Sequence, residues 1–327
     1  MTDLLLKRRS IEIRYLEQWL TYGPRHFLFR HENILRPVLE HGLRALGLLD
    51  RGRRNALQPV VRAVQFAFDE LPAEFCGFRI LQLSDLHIDG IPGLAERVVE
   101  QISPLEVDLC VLTGDYRFAT SGPCHNIYPE MSKIIHAIRS RRGILGILGN
   151  HDYFEEATEL EAMGVHMLMN ASVEIAGAAG SVWVAGVDDA WDYDCADLRR
   201  ALAGVPTGAF KILLAHSPDI IEEAAGAGVH LYLCGHTHAG QIRLPLIGAT
   251  MVPATCERRF LQGRWKQGKM EGYTSAGVGC SLLPVRFRCP PEISLIELRC
   301  SRHSRQKLRE ITQIGVKRPT LVRQTDT

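Results

Sequence analysis

From residue 78 onward, short apolar runs alternate with stretches in which apolar side chains recur at helical spacing. The pattern predicts strands at 78–83, 107–112 and 144–148, with helices at 94–102, 129–139 and 155–163 between and after them. Short strands follow at 166–168, 173–176 and 182–187, the last two joined by the hairpin turn Gly177-Ala178-Ala179-Gly180. A helix at 196–202, a strand at 210–214, a helix at 220–225 and a strand at 231–233 continue the alternation, and late strands fall at 241–244, 272–277 and 293–298. Such alternation argues for an α/β protein with much of its sheet buried. No segment repeats at a fixed period, which argues against a solenoid.

The leading residues read differently. Ile34, Leu35, Val38, Leu39, Leu43 and Leu46 lie at helical spacing with Pro37 near the helix start, and Leu57, Val60, Val61, Val64 and Phe68 repeat the pattern. These predict two amphipathic helices that lie on a membrane interface, grip an acyl chain or pack on the main domain. The expected organisation is a basic helical extension at 1–72, whose last residues enter a linker at 71–77, a main domain at 73–300 and a basic, flexible tail at 301–327.

Composition changes this picture little. At 327 residues, 46% of them apolar, the chain is long enough for a sizeable core. No apolar run approaches the roughly 18 residues of a spanning helix. Arg8-Arg9 looks like half of a twin-arginine signal, yet charged residues follow where an apolar region should, so no export signal is read. The nine cysteines are scattered without a C-x-x-C pair, which points to neither a disulfide framework nor a zinc ribbon, and the cytoplasm is the expected compartment. Charge adds an asymmetry. Residues 1–60 carry 11 basic against 6 acidic side chains and residues 299–327 carry 8 against 2, leaving 19 against 29 between them. Basic ends suit an anionic surface, either membrane or nucleic acid. The acidic middle, and basic ends without interleaved aromatics, leave no nucleic-acid track.

The chemistry is concentrated where the predicted strands end, which is where ligands bind in such folds. Successive strand ends carry Ser84-Asp85-Leu86-His87, Thr113-Gly114-Asp115, Gly149-Asn150-His151-Asp152, Ala215-His216-Ser217 and Gly235-His236-Thr237-His238. Asp85, His87, Asp115, Asn150, His216, His236 and His238 make seven oxygen and nitrogen donors without a thiolate. One ion rarely takes so many protein ligands and still keeps a position open, whereas two ions sharing a carboxylate need about this number. Two divalent ions about 3.5–4 Å apart would attract phosphate and ionise a bound water near neutral pH.

The ordered set D-x-H, G-D, G-N-H-D, isolated His and G-H-T-H resembles the calcineurin-like metallophosphoesterase superfamily over about residues 78–299. Gly235-His236-Thr237-His238-Ala239-Gly240-Gln241-Ile242 and Cys289-Pro290-Pro291-Glu292-Ile293 are similar to the bacterial branch of YaeI- and YkuE-like phosphodiesterases, with Ala239 where that branch usually has glycine. The resemblance implies a four-layer αββα sandwich of two mixed sheets. It implies one ion on Asp85, His87 and His238, another on Asn150, His216 and His236, and Asp115 between them. His151 would donate a proton or hydrogen bond to the leaving oxygen, and Asp152 would orient it.

The expected activity is hydrolysis of a phosphodiester or pyrophosphate by a metal-bridging hydroxide, with manganese as the expected metal and zinc or iron as alternatives. The best substrate expectation is UDP-2,3-diacylglucosamine, a lipid A precursor met at the inner membrane face, and deleting residues 1–72 should then spare turnover of a small soluble diester. A nuclease or general phosphodiesterase is the alternative. A non-catalytic metal-binding scaffold is a further one, although such scaffolds usually lack a ligand and this chain keeps all seven donors and His151. Arg117 is a candidate contact for substrate phosphate, and Asp188-Asp189 a candidate for shaping the site. His125, His136, His166 and His230 read as ordinary residues, and the oligomeric state is left open.

Overall fold

The computed structural model describes residues 3–22, 32–244, 248–249 and 256–301. The tail expected at 301–327 lies outside them except for Ser301. Three helices lead the chain: α1 (Asp3–Tyr22), α2 (Glu32–Ala45) and α3 (Leu49–Ala56).

The next segment corrects the sequence reading. Residues expected to form the second amphipathic helix are instead the strand β1 (Val60–Phe68). Its residues Val60, Val61, Val64, Phe66 and Phe68 are β-branched or aromatic, and a short apolar run of this kind is compatible with either period. The partner decides. All nine residues pair in parallel with the last strand, from Val60↔Glu292 to Phe68↔Cys300, and Phe66 and Phe68 are buried between the two large sheets. Leu71 and Phe75, in the stretch read as a linker, are buried in the same layer. Residues 1–72 therefore contain a sheet strand, and the expectation that they could be removed without harm to turnover does not survive this pairing.

The rest follows the predicted alternation. The first half of the main domain runs β2 (Arg79–Leu83), α4 (Leu94–Ile102), β3 (Glu106–Val107), β4 (Leu109–Thr113), α5 (Tyr128–Ala137), β5 (Arg139–Ser140), β6 (Ile144–Ile147), α6 (Phe154–Ala162) and β7 (Val165–Met167). The second half runs β8 (Ala171–Ala176), β9 (Ser181–Gly186), α7 (Leu198–Ala201), β10 (Phe210–Leu214), α8 (Ile221–Gly226), β11 (Leu231–Cys234), β12 (Arg243–Leu244), β13 (Gly248–Ala249), β14 (Gly263–Gln267), β15 (Met270–Thr274) and β16 (Glu292–Cys300). β14 was not foreseen. It is an edge strand in which buried Trp265 alternates with exposed Arg264 and Lys266, a period too short to stand out from a loop.

Two six-stranded mixed sheets result, in the orders β1-β16-β2-β4-β6-β7 and β14-β15-β11-β10-β9-β8. Between them lies a layer that includes Phe66, Ile80, Val111, Ile147, Val184, Ile212, Leu233 and Ile296. On the outer face of the first sheet, Leu81 and Leu112 meet Val98, Ile102 and Ile134 of α4 and α5. On that of the second, Ala185, Leu213 and Tyr232 meet Leu198, Ile221 and Ala224. Strands buried on both faces explain the unbroken apolar runs, and the layers are the expected αββα sandwich.

Candidate metal centre

Parallel strands β2, β4 and β6 of the first sheet and β10 and β11 of the second end at one place. The loops beyond them bring Asp85, His87 and His238 together, then His87, Asp115 and His151, then Asp115, His216 and His236, each group with donor atoms within 4.8 Å of one another. Asn150 joins the last group, its Oδ1 lying 3.0 Å from both His216 Nε2 and His236 Nδ1.

The local backbone makes this convergence possible. Asp85, His87, Asp115, His236 and His238 all have left-handed φ, between 38° and 67°. For residues other than glycine this conformation costs about 1–2 kcal/mol each and concentrates at functional sites. Ala239 is left-handed too, at φ 51°, a conformation that favours glycine. Backbone bonds support the reversals: Asp85 N–H donates to Gly114 O at 3.0 Å and His87 N–H to Asp115 O at 3.0 Å. Gly235 is required by close approach, since a Cβ there would overlap Ser84 Oγ and the Asp85 carboxylate.

The hydrogen bonds also set which ring nitrogens face inward. His87 Nδ1 donates to Arg117 O at 2.7 Å and His216 Nδ1 to Thr113 O at 2.8 Å, so each Nε2 carries a lone pair when its ring is neutral. His87 Nε2 then lies 3.1 Å from His238 Nε2, and His216 Nε2 3.3 Å from His236 Nδ1. Donors this close repel unless a cation or a proton stands between them. Asp115 Oδ2 lies 3.2 Å from His216 Nε2 and 3.6 Å from His87 Nε2, between the two groups. Imidazole nitrogens with carboxylate and amide oxygens suit a divalent transition metal, so the donor set fits the expected ions.

Without an ion, protons take their place. Burial alone would raise the Asp115 carboxyl, but the His216 imidazole, by its charge and its hydrogen bond, holds it well below the usual carboxylate range. Burial opposes charge on His216, yet the Asp115 carboxylate holds that imidazole well above its ordinary value. Burial raises Asp85 and lowers His238, the latter helped by His87 and Arg286. Because a bound divalent ion displaces the His216 proton and acidifies coordinated water, loading at pH 7 should release at least one proton per chain. Titration calorimetry in buffers of different ionisation enthalpy reads this directly. A proton count near zero would show that the pair is not imidazolium and carboxylate.

Two sequence-predicted residues, Asp152 and Arg117, sit differently from their expected roles. Asp152 does not touch His151. Its carboxylate accepts the backbone N–H groups of Asp115 (2.7 Å), Tyr116 (2.8 Å) and Gly149 (2.7 Å), tying two ligand-bearing loops together. His151 is oriented by a carbonyl, with Nδ1 donating to Phe118 O at 2.8 Å and Nε2 lying 3.8 Å from Asp115 Oδ2. Burial pushes its pKa down to about 3, so the ring is neutral near pH 7. Arg117 is buried rather than facing a substrate: Nε donates to His151 O at 2.6 Å, Nη1 to Gly122 O at 2.8 Å, and Glu156 Oε1 lies 3.4 Å away. The Tyr153 ring, its centroid 3.9 Å from the guanidinium carbon, covers the group from one side.

Asp188 and Asp189 do shape the surroundings. Asp189 accepts N–H groups of Asp192 (2.7 Å) and Tyr193 (2.8 Å), folding a turn whose Asp192 carboxylate accepts from Asn150 Nδ2 at 3.1 Å and so aims Oδ1 at the histidines. Asp188 pairs with Arg8, a residue of α1 that the sequence reading noted only in the Arg8-Arg9 pair and whose Nε also meets Glu12. Asp192, Arg8 and the fully buried Arg286, which donates to Ala276 O and Gly277 O at 2.9 Å, were all missed. No local pattern marks them, because each bonds a partner outside its own segment: Asp192 the Asn150 side-chain amide, Arg8 carbonyls of 149–152, and Arg286 carbonyls seven to ten residues before it.

The comparisons agree with this arrangement. The model of the Calcineurin-like phosphoesterase family matches residues 78–240. The chain is 30% identical over 237 residues to "Uncharacterized metallophosphoesterase YkuE" of Bacillus subtilis, covering 70% of this chain and 82% of that protein. It is 30% identical over 233 residues to "Phosphodiesterase YaeI" of Escherichia coli, covering 68% and 82%. A third relative, "Transmembrane protein with metallophosphoesterase domain" of Danio rerio, is 28% identical over 269 residues, 76% of this chain and 59% of that protein.

Proposed function

The chain belongs to the calcineurin-like phosphoesterase family and is a phosphoric ester hydrolase, and we propose that it cleaves a phosphodiester or pyrophosphate bond with two divalent metal ions. The observation that carries this reading is the pair of inward-facing donor groups that share Asp115 Oδ2. Asp85, His87 and His238 would hold one ion and Asn150, His216 and His236 the other, with Asp115 common to both. When bound, such ions polarise phosphoryl oxygens and acidify coordinated water; manganese is the metal proposed, before zinc or iron.

His151 supplies the remaining group. Its Nδ1 proton is held by Phe118 O, so Nε2 is the atom left to meet the leaving oxygen. Burial keeps the free ring neutral, and an arriving phosphate anion favours its charged form.

For the substrate we propose a lipid-linked nucleotide, UDP-2,3-diacylglucosamine, met at the cytoplasmic face of a membrane. Support comes from α1, whose outer face carries Leu6, Ile13, Leu16 and Leu20 at 49%, 56%, 39% and 66% exposure, with the exposed Arg14 on the same helix. No helix among the described residues is long and apolar enough to cross a membrane, so this face would lie in the interface. The test is an assay of the manganese-loaded chain on an aryl phosphodiester and on UDP-2,3-diacylglucosamine in lipid vesicles, following UMP. Both should turn over. Ile13→Glu with Leu20→Glu should slow the lipid reaction about tenfold or more, since burying one such side chain is worth about 1.5–3 kcal/mol, while the aryl diester stays within about twofold. Hydrolysis of the aryl diester alone would reject the lipid substrate, and hydrolysis of neither would reject the two-metal reading.

A further inference from the structure

We infer that Arg8 is a positioning residue for the phosphoesterase reaction, acting from α1 on the Gly149–Asp152 loop that presents Asn150 and His151. The inference rests on the function proposed above.

Arg8 is fully buried, although it belongs to a helix at the start of the chain and outside the matched residues 78–240. Its Nη2 donates to Gly149 O at 3.3 Å and to Asp152 O at 2.5 Å, the carbonyls that bracket Asn150 and His151. Arg117 Nε takes the carbonyl of His151 at 2.6 Å. Two buried guanidinium groups thus hold three carbonyls of this four-residue loop.

The other arms of Arg8 fix where it sits. Nη1 pairs with the Asp188 carboxylate, which also accepts Asp189 N–H at 2.7 Å at the base of the turn that carries Asp192. Nε donates to Glu12 Oε1 at 3.1 Å, and the same oxygen accepts Phe154 N–H at 2.7 Å, at the start of α6 directly after the loop. The guanidinium carbon lies 4.0 Å from the Tyr193 ring centroid. Arg8 therefore joins the loop that carries Asn150 to the turn that aims the Asn150 amide. A planar group with five donors can make these bonds at once, and an ammonium cannot. The inner face of α1 buries Arg8 and Glu12 beside Tyr15, whose ring centroid lies 6.3 Å from that of Tyr193, while Ile13 and Leu20 face outward.

The test compares the full chain with Arg8→Lys, which keeps a cation beside Asp188, and with Arg8→Met/Asp188→Asn, which leaves no unpaired charge at that contact. For each, kcat and KM on an aryl phosphodiester, bound metal per chain, and amide hydrogen exchange of the metal-free protein are measured. Arg8→Lys should lower kcat about 10–100-fold, the range for a group that orients metal ligands, with KM within about threefold. Exchange should quicken in 149–154 and stay unchanged in β4 and β10. The double variant should behave alike. A kcat within twofold of the parent, or unchanged exchange in 149–154, would overturn the inference, as would a loss of kcat matched in full by a smaller folded fraction. If the parent chain itself shows no turnover, the proposed function fails, and the exchange measurement still decides whether Arg8 holds the loop.

Discussion

An Asp115→Asn variant is expected to bind no more than one ion per chain and to lose more than about 10²-fold in kcat/KM, since removing even an outer partner of a metal ligand costs about 10–100-fold. Asp115 Oδ2 is the atom within 3.6 Å of both His87 Nε2 and His216 Nε2, so neither donor group keeps its full set without it. The asparagine amide has nearly the same shape, and its oxygen can still accept the His151 N–H that now reaches Asp115 Oδ1 at 2.9 Å. Folding should therefore survive. The variant also removes the charge that holds His216 protonated, so burial should then push that imidazole down. Metal analysis of the purified variant, together with its steady-state rate, checks the prediction. Two retained ions with near-parental turnover would remove Asp115 from its shared position.

His151→Asn should act differently, keeping both ions and slowing turnover by about 10²–10⁴-fold, the usual contribution of one acid–base group. The ring nitrogens explain the separation. Nδ1 is committed to Phe118 O, and Nε2, although grouped with His87 and Asp115, stands 3.8 Å from Asp115 Oδ2, farther than His87 or His216, so its loss should leave the nearer donors in place. An asparagine side chain is shorter and cannot take up a proton near neutral pH. Stoichiometry by metal analysis beside kcat reads both halves of the prediction, and a variant that lost its metals would make His151 a ligand instead. Asp152 offers an informative contrast. Because its carboxylate serves three backbone amides and not His151, its loss belongs with the folding of the two loops rather than with proton transfer.

Much of this was legible in local patterns. Strands and helices such as Phe210–Leu214 and Leu94–Ile102 fall where the apolar runs place them, because burial on one or both faces imposes a period on the chain itself. The chemistry at the strand ends was legible for the same reason. Asp85 with His87 and His236 with His238 are neighbours in sequence, and left-handed turns keep each pair on one cavity. Tertiary structure alone decided the rest. Val60–Phe68 is a strand because Glu292–Cys300, at the other end of the chain, lies beside it. Asp152 ties loops, Arg117 and Arg8 hold carbonyls, and Asp192 turns Asn150, each through a partner distant in sequence. The physical reason is the reach of each interaction: hydrophobic burial is periodic along the chain and writes itself into neighbouring residues, whereas a carboxylate or guanidinium bonds whatever donor or acceptor the finished fold brings within about 3 Å.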